Sequence, residues 1–322
     1  MDNKKTVVVT GGGGFLGKAV CNRLYKNSGN NVISLPGKRY YDLTKVEYTD
    51  LVLDQYEPDV VIHLAAKVGG IGANKKNPGL FMYENLAMGM NLIESCRKYG
   101  KLEKFIMVGT VCSYPKFTPV PFTESDIWNG YPEETNAPYG IAKKALIEML
   151  IAYEKQYGFK STNLIPVNMY GPHDNFNPEY SHVIPALILK YKKAISLDLK
   201  SVEIWGTGRA SREFLYVEDC ARAIEKSIDI ETGSQPINVG TGSEISIKDL
   251  AHLIACKCGY HGEILFNDKF PDGQPRRCLE TTLAKEKLDF DTQTNLDTGL
   301  DKTLEWYDNN EGIFSDYFDH IQ

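Results

Sequence analysis

Thr6-Val7-Val8-Val9-Thr10-Gly11-Gly12-Gly13-Gly14-Phe15-Leu16-Gly17 decides how the rest of the chain is read. Its first five residues are a short apolar, β-branched run, the pattern of a buried strand. A helical pattern is in place by Lys18 and lasts to Asn27. Between them Gly11, Gly14 and Gly17 stand in G-x-x-G-x-x-G spacing. A turn this tight favours residues without Cβ, and a bare backbone lets a pyrophosphate reach the N–H groups and positive dipole end of the following helix. A plain tight turn would also select glycine. The position between a first strand and a first helix favours dinucleotide binding. Gly11, Gly14, Phe15, Leu16 and Gly17 are the residues of this loop expected to meet the cofactor.

Outward from this loop, apolar runs alternate with helical patterns. Asn31 to Leu35, Asp59 to Ala66, Phe105 to Val108 and Ser161 to Pro166 read as strands, and Phe81 to Tyr99 and Gly140 to Gln156 as long helices. Continuous apolar strands separated by helices imply a parallel sheet covered on both faces. The expected fold is α/β: a Rossmann-type doubly wound parallel sheet with a smaller, interleaved C-terminal substrate domain. After Gly171 the texture changes to a loop rich in Pro, Asn, His and Asp, then a helix over 182–193. Phe214 to Val217 and Pro236 to Val239 read as returns to the first domain. The division expected is 1–174 plus about 214–240 for the dinucleotide domain, and about 175–213 plus 241–322 for the substrate domain.

Composition narrows the class. The 322 residues carry 36 basic and 42 acidic side chains, a net charge of −6, which gives no sign of nucleic-acid binding. Val7 to Val9 is too short for a signal-peptide core, and no apolar stretch is long enough to span a membrane. The seven cysteines are scattered, without zinc-ligand spacing. Reduced thiols in a cytoplasm, and no metal site, are the expectation.

The second strand runs into Leu35-Pro36-Gly37-Lys38-Arg39. A site for NAD usually puts an acid here, on the ribose 2′-hydroxyl. Two cations suit a 2′-phosphate instead, so NADP(H) is the expected cofactor; the alternative is a solvated basic turn. Ala65, in His63-Leu64-Ala65-Ala66, is small enough for a cofactor to lie over the strand end. Tyr139 and Lys143 are four apart at the start of a helix, hence on one face. An ammonium beside a phenol is expected to lower the phenol pKa, and the phenol is placed to protonate a carbonyl oxygen. Tyr41 and Lys45 share this spacing without the setting. Thr110, 29 residues upstream of Tyr139 at a strand end, can hold the phenol and the substrate oxygen.

These residues resemble the GDP-L-fucose synthase family, the GDP-4-keto-6-deoxy-D-mannose 3,5-epimerase/4-reductases among the extended short-chain dehydrogenase/reductases. The likeness spans nearly the whole chain. It is carried by Ala66 to Ile71, Cys112 to Lys116, Asn168 to Phe176, Ser181 to Leu187, Trp205 to Gly208, Arg212 to Phe214 and Pro271 to Arg276. The resemblance implies that Tyr139 protonates the C4 oxygen with Lys143 as support, and that Cys112 and His182 move protons at C3 and C5. Without it, a structural thiol and a helix-capping histidine are the simpler readings. It further places the cofactor near Val108, Gly109, Pro166, Asn168, Met169, His182, Lys38 and Lys143. Lys190, Trp205, Arg212 and Asp272 become substrate contacts, the two cations suiting a diphosphate. It also implies a homodimer through the helices at 81–99 and 140–156, whose apolar positions could equally face the sheet.

The chain departs from the family pattern at several points. Thr110 stands where serine is typical, and Val111 lacks a second hydroxyl. Gly12-Gly13 replaces a His-Arg pair of some members, and Lys190 an arginine. Two enzymatic readings follow: an NADP-dependent 4-reductase of a GDP-4-keto sugar with C3/C5 epimerisation, or a 4-reductase alone, on a related sugar such as a GDP-4-keto heptose of bacterial polysaccharide synthesis. A non-catalytic redox sensor is the reading of another class.

Overall fold

The computed structural model describes residues 4–270, 272–314 and 317. Pro271, the first residue of the 271–276 motif, and the outermost residues of the two expected domain spans lie outside that range. The chain opens with β1 (Thr6–Thr10), α1 (Phe15–Asn27), β2 (Asn31–Ser34), α2 (Val46–Tyr56), β3 (Val60–His63), α3 (Ile71–Lys76), α4 (Pro78–Tyr99), β4 (Lys104–Val108), α5 (Ala137–Tyr157) and β5 (Ser161–Pro166). It continues through β6 (Asn168–Tyr170), α6 (Val183–Ser196), β7 (Ser201–Trp205), β8 (Ser211–Tyr216), α7 (Val217–Asp229) and β9 (Pro236–Val239). β10 (Glu244–Ser246), α8 (Ile247–Cys258), β11 (Glu263–Asn267), α9 (Thr282–Leu288) and α10 (Leu296–Asp308) follow.

Six strands form one parallel sheet in the order β2-β1-β3-β4-β5-β9. Val8 lies opposite Ile33 on one side and Val61 on the other. Val7 to Val9, Val60 to Ile62 and Phe105 to Met107 are buried without alternation, as strands covered on both faces must be. The α/β reading holds. The strand order reverses around β1, which lies between β2 and β3. The carboxyl ends of β1 and β3 therefore border the crevice where open α/β sheets bind ligands.

The two long helices begin earlier than their apolar periodicity indicates, at Pro78 and Ala137. Proline is tolerated in a first turn, where its missing N–H has no partner to lose. Gly100 and Gly158 end them in the left-handed conformation. α4 packs against α2 and α5, and α1 packs against α7.

A second core gathers Tyr170, Leu187, Tyr191, Leu250, Ile254, Leu300 and Tyr307 from β6, α6, α8 and α10. β8 does not enter the large sheet. It pairs with β6 and β10, and its side chains alternate with the strand period of two. Phe214 and Tyr216 join the second core, while Leu215 and then Val217 join the first. Leu279, Ala284, Leu288 and Phe290 also pack into the first core.

Glu213 locks β8 in place. It is fully buried and accepts from the backbone N–H groups of Thr241, of Gly242 at 2.8 Å and of Leu279 at 2.7 Å. Glu213→Gln puts an NH2 donor against one of these N–H groups. Urea unfolding is expected to show a loss of about 2–3 kcal/mol, and an unchanged midpoint would refute this role.

Candidate active site

The glycine loop rests on the end of β3. Gly11 has φ +69°, and a Cβ there would lie 2.7 Å from Ala65 N and 2.9 Å from Ala65 Cα. Only glycine allows both the turn and the contact. Thr10 Oγ1 braces the same corner: it is joined to His63 Nδ1 at 2.9 Å and accepts from Ala65 N at 3.2 Å. α1 then starts behind Gly14 with no side-chain cap and no acid in its first turn. The N–H groups around Phe15, Leu16 and Gly17 are thus left for an outside acceptor, as a dinucleotide pyrophosphate requires. The donor set fits the cofactor.

The rim after β2 is more complex than its sequence. Lys38 Nζ lies 2.6 Å from Glu84 Oε1 and 4.0 Å from Asp42 Oδ1. Hydrogen bonding to Glu84, reaching across from α4, raises the Lys38 pKa. Arg39 is exposed. Val108 and Gly109 end β4 beside β5, where Gly109 N bonds Leu164 O at 2.8 Å. Pro166 closes β5; Asn168 Nδ2 donates to Glu213 O at 2.9 Å, and Met169 is half-buried.

The catalytic candidates meet where β4 ends against the start of α5. Thr110 begins the short turn Val111–Ser113, and its Oγ1 accepts from Cys112 N at 3.2 Å. Ser113 Oγ donates to Gly140 O at 2.9 Å, and any Cβ on Gly140 would collide with the Cys112 carbonyl. This close docking brings the Tyr139 phenol beside the Thr110 hydroxyl, with Cys112 nearby. Lys143, one turn further, is buried and donates to Val108 O at 3.0 Å.

The electrostatics correct one expectation. The Tyr139 pKa is raised, not lowered: burial dominates, Cys112 adds to it, and the Thr110 hydroxyl only partly offsets it. The Lys143 ammonium is turned to the Val108 carbonyl, and burial pushes its own pKa down to about 8. A phenol that stays protonated is a proton donor in waiting. Buried His63 is driven to about 3, by burial first and by Lys143 second, so it stays neutral.

His182 occupies the N-cap position of α6, yet its side chain caps nothing. It keeps an accessible surface, and the protein packed around its ring lowers its pKa. Gly70 N bonds Tyr180 O at 3.1 Å, which joins the 66–71 motif to the segment carrying His182. Among the described residues His182 hydrogen-bonds neither Tyr139 nor Cys112.

On the second core's side, Lys190 Nζ donates to Glu203 O at 2.9 Å and stands 5.5 Å above the Trp205 ring. Trp205 is no core residue: it is 57% exposed and stacks on Phe270 at 4.5 Å. Arg212 Nη2 donates to Asp272 O at 3.1 Å, and burial, then Arg277, hold its pKa down to about 10. Both carboxylate oxygens of Asp272 are taken by Thr207, N and Oγ1 each at 2.7 Å.

With the crevice and its residues in place, comparison with known proteins places the chain. A model of the NAD dependent epimerase/dehydratase family matches residues 7–240. The chain belongs to this family. Within it, the chain is 37% identical over 306 residues to the probable GDP-L-fucose synthase 1 of Oryza sativa subsp. japonica, covering 95% of this chain and 93% of that one. A GDP-L-fucose synthetase from Naegleria fowleri, solved with NADP bound, aligns with TM-score 0.89 at 28% identity, over 97% of this chain and 95% of the other. A GDP-6-OMe-4-keto-L-xylo-heptose reductase from C. jejuni aligns with TM-score 0.87 at 26% identity, over 96% and 99%. The resemblance read from the motifs holds over nearly the full length.

Three residues that the structure brings to this candidate site carry no motif in the sequence around them: Glu84, Phe270 and Arg277. Only Arg277 left a signal, as a second cation directly after the 271–276 motif.

Lys143 carries a stability cost. Between about pH 8 and 10.5 the unfolded chain holds a proton on this lysine that the folded chain has lost, so stability rises with pH across that window. Below it the penalty is constant. Cofactor-free Lys143→Met is expected to be more stable at pH 7, by on the order of 3 kcal/mol, with the gap shrinking by pH 10. Urea unfolding at both pH values checks this, and a less stable variant at pH 7 would overturn it.

Proposed function

We propose that the chain is an NADPH-dependent reductase of the C4 ketone of a GDP-linked 4-keto sugar, acting with C3 and C5 epimerisation as a GDP-L-fucose synthase does. The observation that carries this reading is one turn of chain, Thr110 to Cys112, that sets a hydroxyl and a thiol beside the Tyr139 phenol. The α1 N-terminus around Gly11, Gly14, Phe15, Leu16 and Gly17 holds the cofactor pyrophosphate. Ala65, Val108, Gly109, Pro166, Asn168 and Met169 border it, and Lys38 and Arg39 take the 2′-phosphate. When bound, NADPH supplies the hydride.

The protein's own groups move the protons. Tyr139, kept protonated by burial, gives its proton to the C4 oxygen. Thr110 aligns the phenol, and Lys143 adds positive charge nearby. A hydrogen next to a ketone is acidic because the electron pair left behind is an enolate. Cys112 as thiolate takes that proton, and His182 returns one on the opposite face. Lys190 and Arg212 engage the diphosphate. Trp205 offers a ring face to the guanine, and Asp272 borders the site from the loop bound to Thr207.

A second reading, 4-reduction without epimerisation on a GDP-4-keto heptose for a capsular polysaccharide, is favoured by the Thr110 methyl and buried Val111 at the pocket. The likeness to the heptose reductase is in its favour. We further place the enzyme in the cytoplasm, where its seven free thiols stay reduced. We infer a homodimer through α4. Gly79, Met82, Tyr83, Leu86, Ala87 and Met90 line one apolar strip of that helix, and Met82, Tyr83 and Met90 are exposed. Among the described residues no helix is long and apolar enough to cross a membrane.

Tyr139→Phe is expected to cut NADPH oxidation with a GDP-4-keto sugar by about 10²–10⁴-fold while NADPH still binds; turnover at the parent rate would defeat the reading. In deuterated water, label at C3 and C5 of the product marks the epimerase, and its absence from both marks the reductase. NADPH is expected to exceed NADH in kcat/KM, with Lys38→Ala narrowing the ratio; equal efficiencies in the parent would reject the 2′-phosphate site.

A further inference from the structure

Cys112 is the one group in the proposed proton transfers whose working form is an anion, and Arg277 is the cation set against it. Arg277 Nη1 lies 3.8 Å from Cys112 Sγ, within hydrogen-bond reach of a sulfur acceptor. Arg277 as a whole is only 8% exposed. Its other edge forks onto Gln274 Oε1, from Nε at 3.2 Å and from Nη2 at 3.1 Å. Gln274 is itself buried and donates Nε2 to Lys116 O at 2.9 Å and Pro115 O at 3.4 Å, a few residues past the thiol. The guanidinium is therefore tied at both ends to the segment that carries Cys112. Planar fork geometry of this kind fixes where the remaining N–H groups point.

A buried cation needs an anion. Among the described residues no carboxylate forms an ion pair with Arg277, and the fork is spent on a neutral amide. Arg212 deepens the imbalance, since it lies within electrostatic range of both Arg277 and Cys112. The group that Arg277 touches and that can become negative is the thiol.

We infer that Arg277 is a positioning residue for Cys112, pairing with its thiolate and aiming it, with Gln274 as the tether. The inference rests on the reading in which Cys112 moves protons. In that step the sulfur takes a proton from the carbon next to the ketone and the C–H electron pair becomes the enolate. Arg277 keeps all its protons and loses its ionic partner as the thiol forms. When the thiol gives up that proton the pair is restored.

The thiolate is the form that alkylates, so reactivity reads the pairing directly. The full-length chain and its variants are treated with iodoacetamide, a neutral reagent that Arg277 does not itself attract. Cys112 is followed by peptide mass spectrometry with exposed Cys256 as internal reference. Arg277→Gln is expected to slow Cys112 alkylation at pH 7 by about tenfold, and Arg277→Lys by less. A parent rate for Arg277→Gln at pH 7 overturns the inference. Should Arg277→Gln not fold, Gln274→Leu serves, with the same slowing expected and a parent rate decisive against it. Solvent-deuterium exchange into the ketone is expected to fall by a similar factor in Arg277→Gln, with substrate KM little changed. A raised KM with full exchange would assign Arg277 to the diphosphate instead. No exchange in the parent rejects the epimerase reading, while the alkylation result still decides the pairing.

Discussion

The docking of the Thr110–Ser113 turn onto the first turn of α5 sets the distances on which the chemistry depends. The contact exists because Gly140 has no side chain to meet the Cys112 carbonyl, and Ser113 pins it with one hydrogen bond. A strand end and a helix start that are distant in sequence become one rigid corner. Tyr139 sits one residue before that glycine and Lys143 three after it, so the helix phase carries both to the same edge. Burial is the consequence: the corner closes around phenol and ammonium, raises the pKa of the first and lowers that of the second. Both shifts weaken the charged forms, which suits a phenol that donates a proton.

The same logic of shared backbone governs the second half of the molecule. β8 faces the large core with Leu215 and the small core with Phe214 and Tyr216. Glu213, at the point where the strand leaves the Arg212 region, gathers N–H groups from the 241–242 turn and from Leu279. Arg212 thus projects from a strand whose position both cores and one buried carboxylate determine. On the other flank, Asp272 binds the Thr207 turn with its carboxylate and Arg212 with its carbonyl, linking the 205–208 and 271–276 motifs.

Much of this was legible in the residues. The Thr6–Gly17 stretch carries its own strand, turn and helix start, and the five apolar runs of the first half all became parallel strands. Local pattern reports local structure. The motifs likewise pointed to the correct family. What escaped depends on partners far along the chain. Glu84 answers Lys38 from a different element, so the basic turn after β2 looked free of acids. Arg277 meets Cys112 across 165 residues. The Tyr139 pKa followed enclosure by the fold, not the i,i+4 lysine, which found a carbonyl instead. Helix α2 lacks any cap signal, with Lys45 at its start and a left-handed Glu57 at its end, so no local feature of the sequence marks its ends. Where proline opens a helix, as in α4 and α5, the apolar periodicity starts late and the true boundary lies upstream.

The alternation along β8 has a consequence for how such a molecule can change over time. A strand whose odd and even residues serve different cores cannot be handed to one half without stripping the other, and the 279–290 segment returns to the first core before α10 completes the second. The chain is therefore not modular: neither half can be traded for another without breaking the framework both share. Change is left to single replacements at side chains that neither core uses, while the interwoven framework is inherited whole.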